Sequence, residues 1–417
     1  MAIDNKDKKV LKSSIEREQN EVACSAECEK IKGSKNLNVP PLRFPEFSGE
    51  WKCTTIGNIG DIKNGPFGSV LHAEDYVENG IPIVTTEHFK TGLMPSDKFG
   101  IPQVSNEDYI RLKGYRLETN DIVFSRVGSV DINAHVGIEQ NGWLFSGRVL
   151  RVRPKYDIDS LFLHYALSTE AVKRDIRNRA VGQTMPSINT PILSSTTIQL
   201  PKDLFEQKKV AHFLRLLDER IITQNKIIED LKKLKSAISE RLFKSVKGFT
   251  VLLSDLCDIV KGKQINGENL SDSGNYYVMN GGTEPSGYYD NYNVEASTIS
   301  ISEGGNSCGY VQFNTSPFWS GGHCYSIQNI ADKVDNMYLY HYLKSNEDAI
   351  MKLRIGSGLP NIQKKDLAMF KIIVPKIEWQ IKISTFLSSL ERKAEIEERI
   401  LNVMQKQKLY LLQQMFI

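Results

Sequence analysis

A chain of 417 residues, 40% hydrophobic and 25% charged, is long enough for two or three domains with real cores. Its 53 basic residues barely exceed its 50 acidic ones, which excludes a protein held to a polyanion by bulk charge alone. No run of about 18 apolar residues suggests a transmembrane helix, Met1 to Lys12 is too charged for a secretory signal, and the six cysteines lack framework spacing, so a cytoplasmic protein with reduced thiols is expected.

Residues 1–39 are polar and free of aromatic side chains, and read as an arm or marginal helix rather than a domain. Pro40-Pro41-Leu42-Arg43-Phe44-Pro45 then forms a stiff lead-in, because each proline fixes φ and excludes its predecessor from the helical region. A first domain is expected over 40–202. Short apolar runs such as Ile81-Pro82-Ile83-Val84 and Ile122-Val123-Phe124, separated by Gly, Asn and Asp, favour strands and turns there, with one helical stretch over 158–180.

Residues 203–247 differ in kind: from Leu204 to Lys244 there is neither proline nor glycine, which predicts a helix about 60 Å long. A second domain follows over 248–375 and a second long helix over 376–417. The charge is uneven, with 12 basic against 7 acidic residues over 201–247 and 9 against 13 over 248–374.

The chain says nearly the same thing twice. Ile56-Gly57-Asn58-Ile59-Gly60-Asp61-Ile62 returns as Leu253-Ser254-Asp255-Leu256-Cys257-Asp258-Ile259. Leu161-Phe162-Leu163-His164-Tyr165-Ala166-Leu167 is answered by Met337-Tyr338-Leu339-Tyr340-His341-Tyr342-Leu343, and Gly182-Gln183-Thr184-Met185-Pro186-Ser187-Ile188 by Gly356-Ser357-Gly358-Leu359-Pro360-Asn361-Ile362. The expected fold is therefore α+β: two repeated mixed domains joined by two long antiparallel coiled-coil helices that act as a spacer.

Both helices carry a heptad seam, Leu214 through Leu242 and Leu387 through Met415, with polar interruptions at corresponding places: Gln224 with Glu397, and Lys235 with Lys408. An antiparallel register matching a with d positions sets Lys235 beside Glu397 and Gln224 beside Lys408. Solvated lysines on a helix flank are the simpler alternative.

No phosphate-cradling Gly-x4-Gly-Lys-Ser/Thr loop, no dinucleotide-binding glycine fingerprint and no amino-methyltransferase motif occurs, so the chain is expected to be non-catalytic and to hold no cofactor. Cys24 and Cys28 lack a second pair at zinc spacing, and His323 and Cys324, being adjacent on a strand, point to opposite faces. No metal site is expected.

The glycine loops offer backbone donors and small polar side chains suited to phosphates: Lys63 and Asn64 beside Gly65, Lys261 and Lys263 around Gly262, Gln183 and Thr184 after Gly182, and Ser357 after Gly356. Each is equally consistent with an ordinary turn. Ser125 and Arg126 are the preferred base-reading candidates of the first repeat, since arginine grips guanine O6 and N7; Glu303 and Asn306 stand in the second, where Glu accepts from cytosine N4 and Asn pairs with adenine. Thr85, Thr86 and Asn280, at strand ends, complete the candidates. The cluster Lys173, Arg174, Arg177 and Arg179 either touches phosphates or caps its helix.

Taken in order, Leu42-Arg43-Phe44-Pro45-Glu46-Phe47, Trp51, the Gly-x3-Pro-x-Ile loops, Phe205-Glu206-Gln207-Lys208-Lys209-Val210-Ala211 and Trp379-Gln380-Ile381-Lys382-Ile383 resemble the specificity subunit of type I restriction-modification enzymes over about residues 40–417. The resemblance implies two target-recognition domains, each reading half of a split double-stranded DNA site. It further implies two methyltransferase subunits that use S-adenosylmethionine to methylate adenine, and motor-nuclease subunits that use ATP and Mg2+, with none of those cofactors bound by this chain and no membrane partner. A self-sufficient nuclease, a structural coiled-coil scaffold and a carbohydrate-binding repeat protein are the alternatives.

Overall fold

The computed structural model describes residues 38–66, 73–356, 358 and 360–417; the arm and Ser357 fall outside them, apart from the arm's last two residues. Contacts divide the chain into two units, one of Met1–Ile221 with Val403–Ile417 and one of Ile222–Asn402. The divisions fall inside the long helices, Leu204–Ser245 and Ile377–Met415, so each unit contains part of both.

Each unit is built on a four-stranded antiparallel sheet of the same order. In the first, Gly60–Asn64 pairs with Val149–Pro154, which pairs with Ile122–Ser125, which pairs with Asn133–His135. In the second, Asp258–Lys261, Cys324–Gln328, Thr298–Ser302 and Val311–Asn314 follow in that order. A parallel pair flanks each sheet, Ile81–Val84 with Leu144–Phe145 and Tyr276–Met279 with Trp319–Ser320. Central strands Ile122–Ser125 and Thr298–Ser302 are buried at every position; the first is a continuous apolar run, while the second alternates Ile with Thr and Ser although both its faces are covered.

The ends of each domain are tied together before the long helix begins. Lys52–Thr55 pairs antiparallel with Thr197–Leu200, and Phe249–Leu252 with Lys371–Val374. A buried glutamine then fixes each helix start. Gln207 accepts from Asp159 N (2.9 Å) and donates to Pro201 O (3.1 Å); Gln380 accepts from Asp335 N (2.9 Å) and donates to Pro375 O (2.9 Å). Arg43, from the proline-rich lead-in, donates to both carboxylate oxygens of buried Glu206 at 2.6 and 2.7 Å, and Trp51 Nε1 donates to the same group at 3.1 Å.

The helix expected over 158–180 is two helices, Ser160–Leu167 and Glu170–Arg179. The break has a local cause: Ser168 Oγ donates to His164 O and Thr169 Oγ1 to Ala166 O, both at 2.8 Å, so side-chain donors cap the last turn beside the backbone ones.

The heptad seams are buried or half-buried throughout, but the pairing register differs from the one expected. Lys235 Nζ meets Glu391 Oε1 at 2.7 Å instead of Glu397, and Gln224 Nε2 meets Glu397 Oε2 at 2.6 Å, while Lys408 meets Asp218 at 2.5 Å instead of Gln224. The four residues do lie in the helix contact. What moves the register is a carboxylate that each domain holds from its own side: Tyr165 donates to Asp218 (2.8 Å) and Tyr340 to Glu391 (3.1 Å), and the lysines go to those held anions.

Candidate nucleic-acid interface

In both units several strand ends converge on one junction, and matching hydrogen bonds align the two residue by residue. Arg126 N donates to Arg148 O and Glu303 N to His323 O, each at 2.9 Å. Ile188 N donates to Arg126 O (2.9 Å) and Ile362 N to Glu303 O (2.8 Å); Gly128 N donates to Pro186 O (2.8 Å) and Gly305 N to Pro360 O (3.0 Å). Gly65 N bonds Val149 O as Gly262 N bonds Cys324 O. Arg126 therefore occupies the place of Glu303, Asn64 that of Lys261, and Arg148 that of His323.

Glycine is required where these strands crowd together. A Cβ on Gly147 would lie 2.2 Å from Pro66 O, and one on Gly262 2.1 Å from Gly321 O. Beside the junction each chain loops out and closes on itself: Val181 and Ser187 exchange hydrogen bonds at 2.9 and 2.8 Å, and Ile355 and Asn361 at 2.8 and 3.0 Å. Gln183 and Thr184 sit exposed on the first of these loops.

The candidate residues divide by exposure. Lys261, Lys263 and Asn306 are exposed, Arg126 is half-buried with Nη1 on Gly147 O at 3.1 Å, and Asn64 is half-buried. Thr85 serves a local turn, its N bonded to His88 Nδ1 at 3.1 Å. Asn280 accepts from His323 N at 3.1 Å and so holds a neighbouring turn. Lys63 lies on the opposite strand face from Asn64, its ammonium 5.2 Å from the Tyr115 ring centre, which is why Asn64 and not Lys63 matches Lys261.

Three expected readers are internal instead. Thr86 is 7% exposed, Ser125 0% and Glu303 7%, because each is drawn into the junction's own hydrogen bonds. Thr86 Oγ1 donates to Arg148 O and Ser125 Oγ to Val127 O. Glu303 Oε1 accepts from Lys261 Nζ at 2.6 Å and from Tyr325 OH at 3.0 Å, while its Oε2 has no hydrogen-bond partner and lies 3.9 Å from His323 Nδ1. Burial, with the Glu303 charge beside it, pushes the Tyr325 phenol well above its ordinary range. The arginine cluster is also engaged internally: Arg177 pairs with Asp131 and Glu170, and Arg179 with Asp175, leaving Arg174 as its exposed arginine without such a pair among the described residues.

Three of the ten buried side-chain polar atoms without a hydrogen-bond partner among the described residues lie here, Asn64 Oδ1 and Ser146 Oγ in one unit and Glu303 Oε2 in the other. Such groups are costly unless a ligand or water completes them. No group of three or more His, Cys, Asp or Glu side chains among the described residues is placed to hold a metal ion, and no helix among them is long and apolar enough to cross a membrane. From the sequence, Arg148 is not singled out and His323 is weighed only beside Cys324; a short shared element, Phe145-Ser146-Gly147-Arg148 and Trp319-Ser320-Gly321-Gly322-His323, leads to both, and the hydrogen-bond register shows that they correspond.

A family model described as "Type I restriction modification DNA specificity domain" matches residues 48–233 and again 248–406. The chain belongs to that family. The two matches cover the two repeats, so each junction lies within one specificity-domain match. Among relatives, a protein of Methanocaldococcus jannaschii named for the specificity subunit of the type I restriction enzyme MjaX is 27% identical over 409 residues, covering 88% of this chain and 92% of that one. The MjaVIII specificity subunit of the same organism is 25% identical, covering 86% and 89%. The crystal structure of a type I restriction-modification S subunit from M. genitalium has the same fold, with TM-score 0.64, 19% identity, and coverage of 91% of this chain and 99% of that one.

Proposed function

We propose that this specificity-family chain reads a split double-stranded DNA site, one half with each junction, and directs partner subunits to it. The observation that carries the reading is the pair of junctions: one backbone arrangement, built twice, with different side chains on it. Asn64 and Arg126 in the first unit are replaced by Lys261 and Glu303 in the second, which moves the cation from one strand end to its neighbour. A duplicated frame with altered chemistry is what two different half-sites require, since base identity is read by the donor and acceptor pattern presented to the groove.

The chain itself contributes recognition and not chemistry. Two methyltransferase subunits with S-adenosylmethionine and motor-nuclease subunits with ATP and Mg2+ supply methylation and cleavage, in the cytoplasm. The weak net charge of the chain fits this division, because partner subunits then provide much of the phosphate affinity. The exposed loop with Gln183 and Thr184 contacts backbone phosphates in the first unit.

The test is single-molecule methylation sequencing of DNA from cells carrying this chain with its neighbouring methyltransferase, against cells lacking the chain. A split motif that depends on the chain supports the reading. Unaltered methylation, with an active partner present, would return the chain to the structural scaffold alternative.

A further inference from the structure

We infer that Arg148 and His323, corresponding residues on the turn that precedes the long central strand of each sheet, are specificity-determining residues, each contacting a base edge in its own half-site. The inference rests on the proposed DNA reading and adds to it which side chains touch bases.

The backbone at both positions is fixed from several sides. Arg148 O accepts from Arg126 N at 2.9 Å and from Thr86 Oγ1 at 3.3 Å. His323 O accepts from Glu303 N at 2.9 Å, and His323 N donates to Asn280 Oδ1 at 3.1 Å. The preceding residue is glycine in both cases: a Cβ on Gly147 would lie 2.2 Å from the backbone Pro66 O, which leaves no room for it, while one on Gly322 would meet only the end of the Gln264 side chain, Oε1 at 2.3 Å, with its next contacts at 3.4 Å. The following residues, Val149 and Cys324, are buried.

The side chains, by contrast, reach solvent. Arg148 is exposed, and its guanidinium has no hydrogen bond or ion pair with the described residues; the His323 side chain is 62% exposed. A fixed backbone settles where each side chain starts, so that binding has only the side chain itself to order. It also explains why so much of the surrounding polarity is internal: Thr86, Asn280 and Glu303 hold the turn and its neighbours. Glu303 is thereby a positioning residue, gripping Lys261 and lying beside His323.

Arginine presents two parallel donors, the match to guanine O6 and N7 in the major groove, and an imidazole N–H donates singly to the same acceptor edge. Each junction therefore reads a guanine through this turn, strictly in the first half-site and more loosely in the second.

The experiment uses the full chain in complex with its methyltransferase partner and reads the methylated motif for wild type, Arg148→Ala, Arg148→Lys and His323→Ala. Arg148→Ala is expected to relax one base position in one half-site by about tenfold, with the other half unaltered; Arg148→Lys relaxes the same position less. His323→Ala relaxes one position in the opposite half only. Thermal melting of each variant, expected to match wild type because both side chains are exposed, separates lost reading from lost fold. Uniformly lower methylation with an unaltered motif overturns the inference, since that is the signature of a phosphate contact. An unaltered motif at unaltered level overturns it too. If wild type itself yields no split motif, the parent reading fails and takes this one with it.

Discussion

Tyr165 donates its hydroxyl hydrogen bond to Asp218 at 2.8 Å, and Asp218 in turn holds Lys408 Nζ at 2.5 Å. The other unit repeats the order with a longer carboxylate: Tyr340 to Glu391 at 3.1 Å, and Glu391 to Lys235 at 2.7 Å. In each unit a tyrosine of the domain thus fixes a carboxylate of one long helix, which takes a lysine of the other. Tyr165→Phe removes the first link while leaving the ring packed. It is expected to lower stability by about 1–2 kcal/mol, read as a lower midpoint in chemical unfolding.

The same relationship separates the observed helix register from the one the heptads alone suggest. Lys235→Glu sets two carboxylates together and is expected to destabilise by about 1–3 kcal/mol. Adding Glu391→Lys should recover part of that loss, whereas adding Glu397→Lys should recover none. A melting series over the four proteins decides it, and recovery through position 397 would restore the rejected register.

Glu206 joins the lead-in to the first long helix, accepting from Arg43 and from Trp51 Nε1 while 1% exposed. Glu206→Ala removes the countercharge of the Arg43 guanidinium, whose side chain is only 12% exposed, and leaves it only the carbonyls of Ser48 and Gly49. A loss of about 3 kcal/mol follows, because removing one partner leaves the other charge buried. Limited proteolysis near Arg43 should accelerate in the variant and not in the wild type.

Acid should weaken both units through buried histidines. Burial, with the charges of His135 and Lys408 nearby, pushes His164 down to about 3, and burial pushes His341 down to about 4, from an ordinary value of 6.5. The unfolded chain therefore binds the proton more readily than the folded one. The neutral rings' contribution is complete above pH 6.5 and is lost as pH falls from there toward 4 for His341 and toward 3 for His164, by about 2 kcal/mol per histidine at pH 5. Measured as melting temperature against pH, His341→Gln should show a flatter acid limb than wild type.

Three thiols should resist alkylation while the chain is folded. Burial pushes Cys257 up to about 12 and Cys324 up to about 11, and raises Cys308 as well. Iodoacetamide at pH 8 should label these positions only in denaturant, as peptide mass spectrometry would read, because the thiolate is the reacting species.

The sequence by itself determined the duplication, the α+β class and the two long helices. Those are carried by local periodicity and by order along the chain: the proline-free, glycine-free runs became helices Leu204–Ser245 and Ile377–Met415. It also placed Arg126 and Glu303 at one position of the repeat, since Gly-containing turns flank both. Only the tertiary structure decided which side chains face out. Ser125 and Glu303 carry reader chemistry in sequence yet are consumed by bonds to Val127 O, Lys261 and Tyr325, while Arg148 and His323, which follow only a short shared Ser-Gly element, emerge at the same turn. Register between distant strands, and between two helices whose seams admit several alignments, is set by partners far apart in the chain. Asp218 meets Lys408 and Glu391 meets Lys235 because each domain holds its own carboxylate in place, a constraint that heptad spacing does not encode.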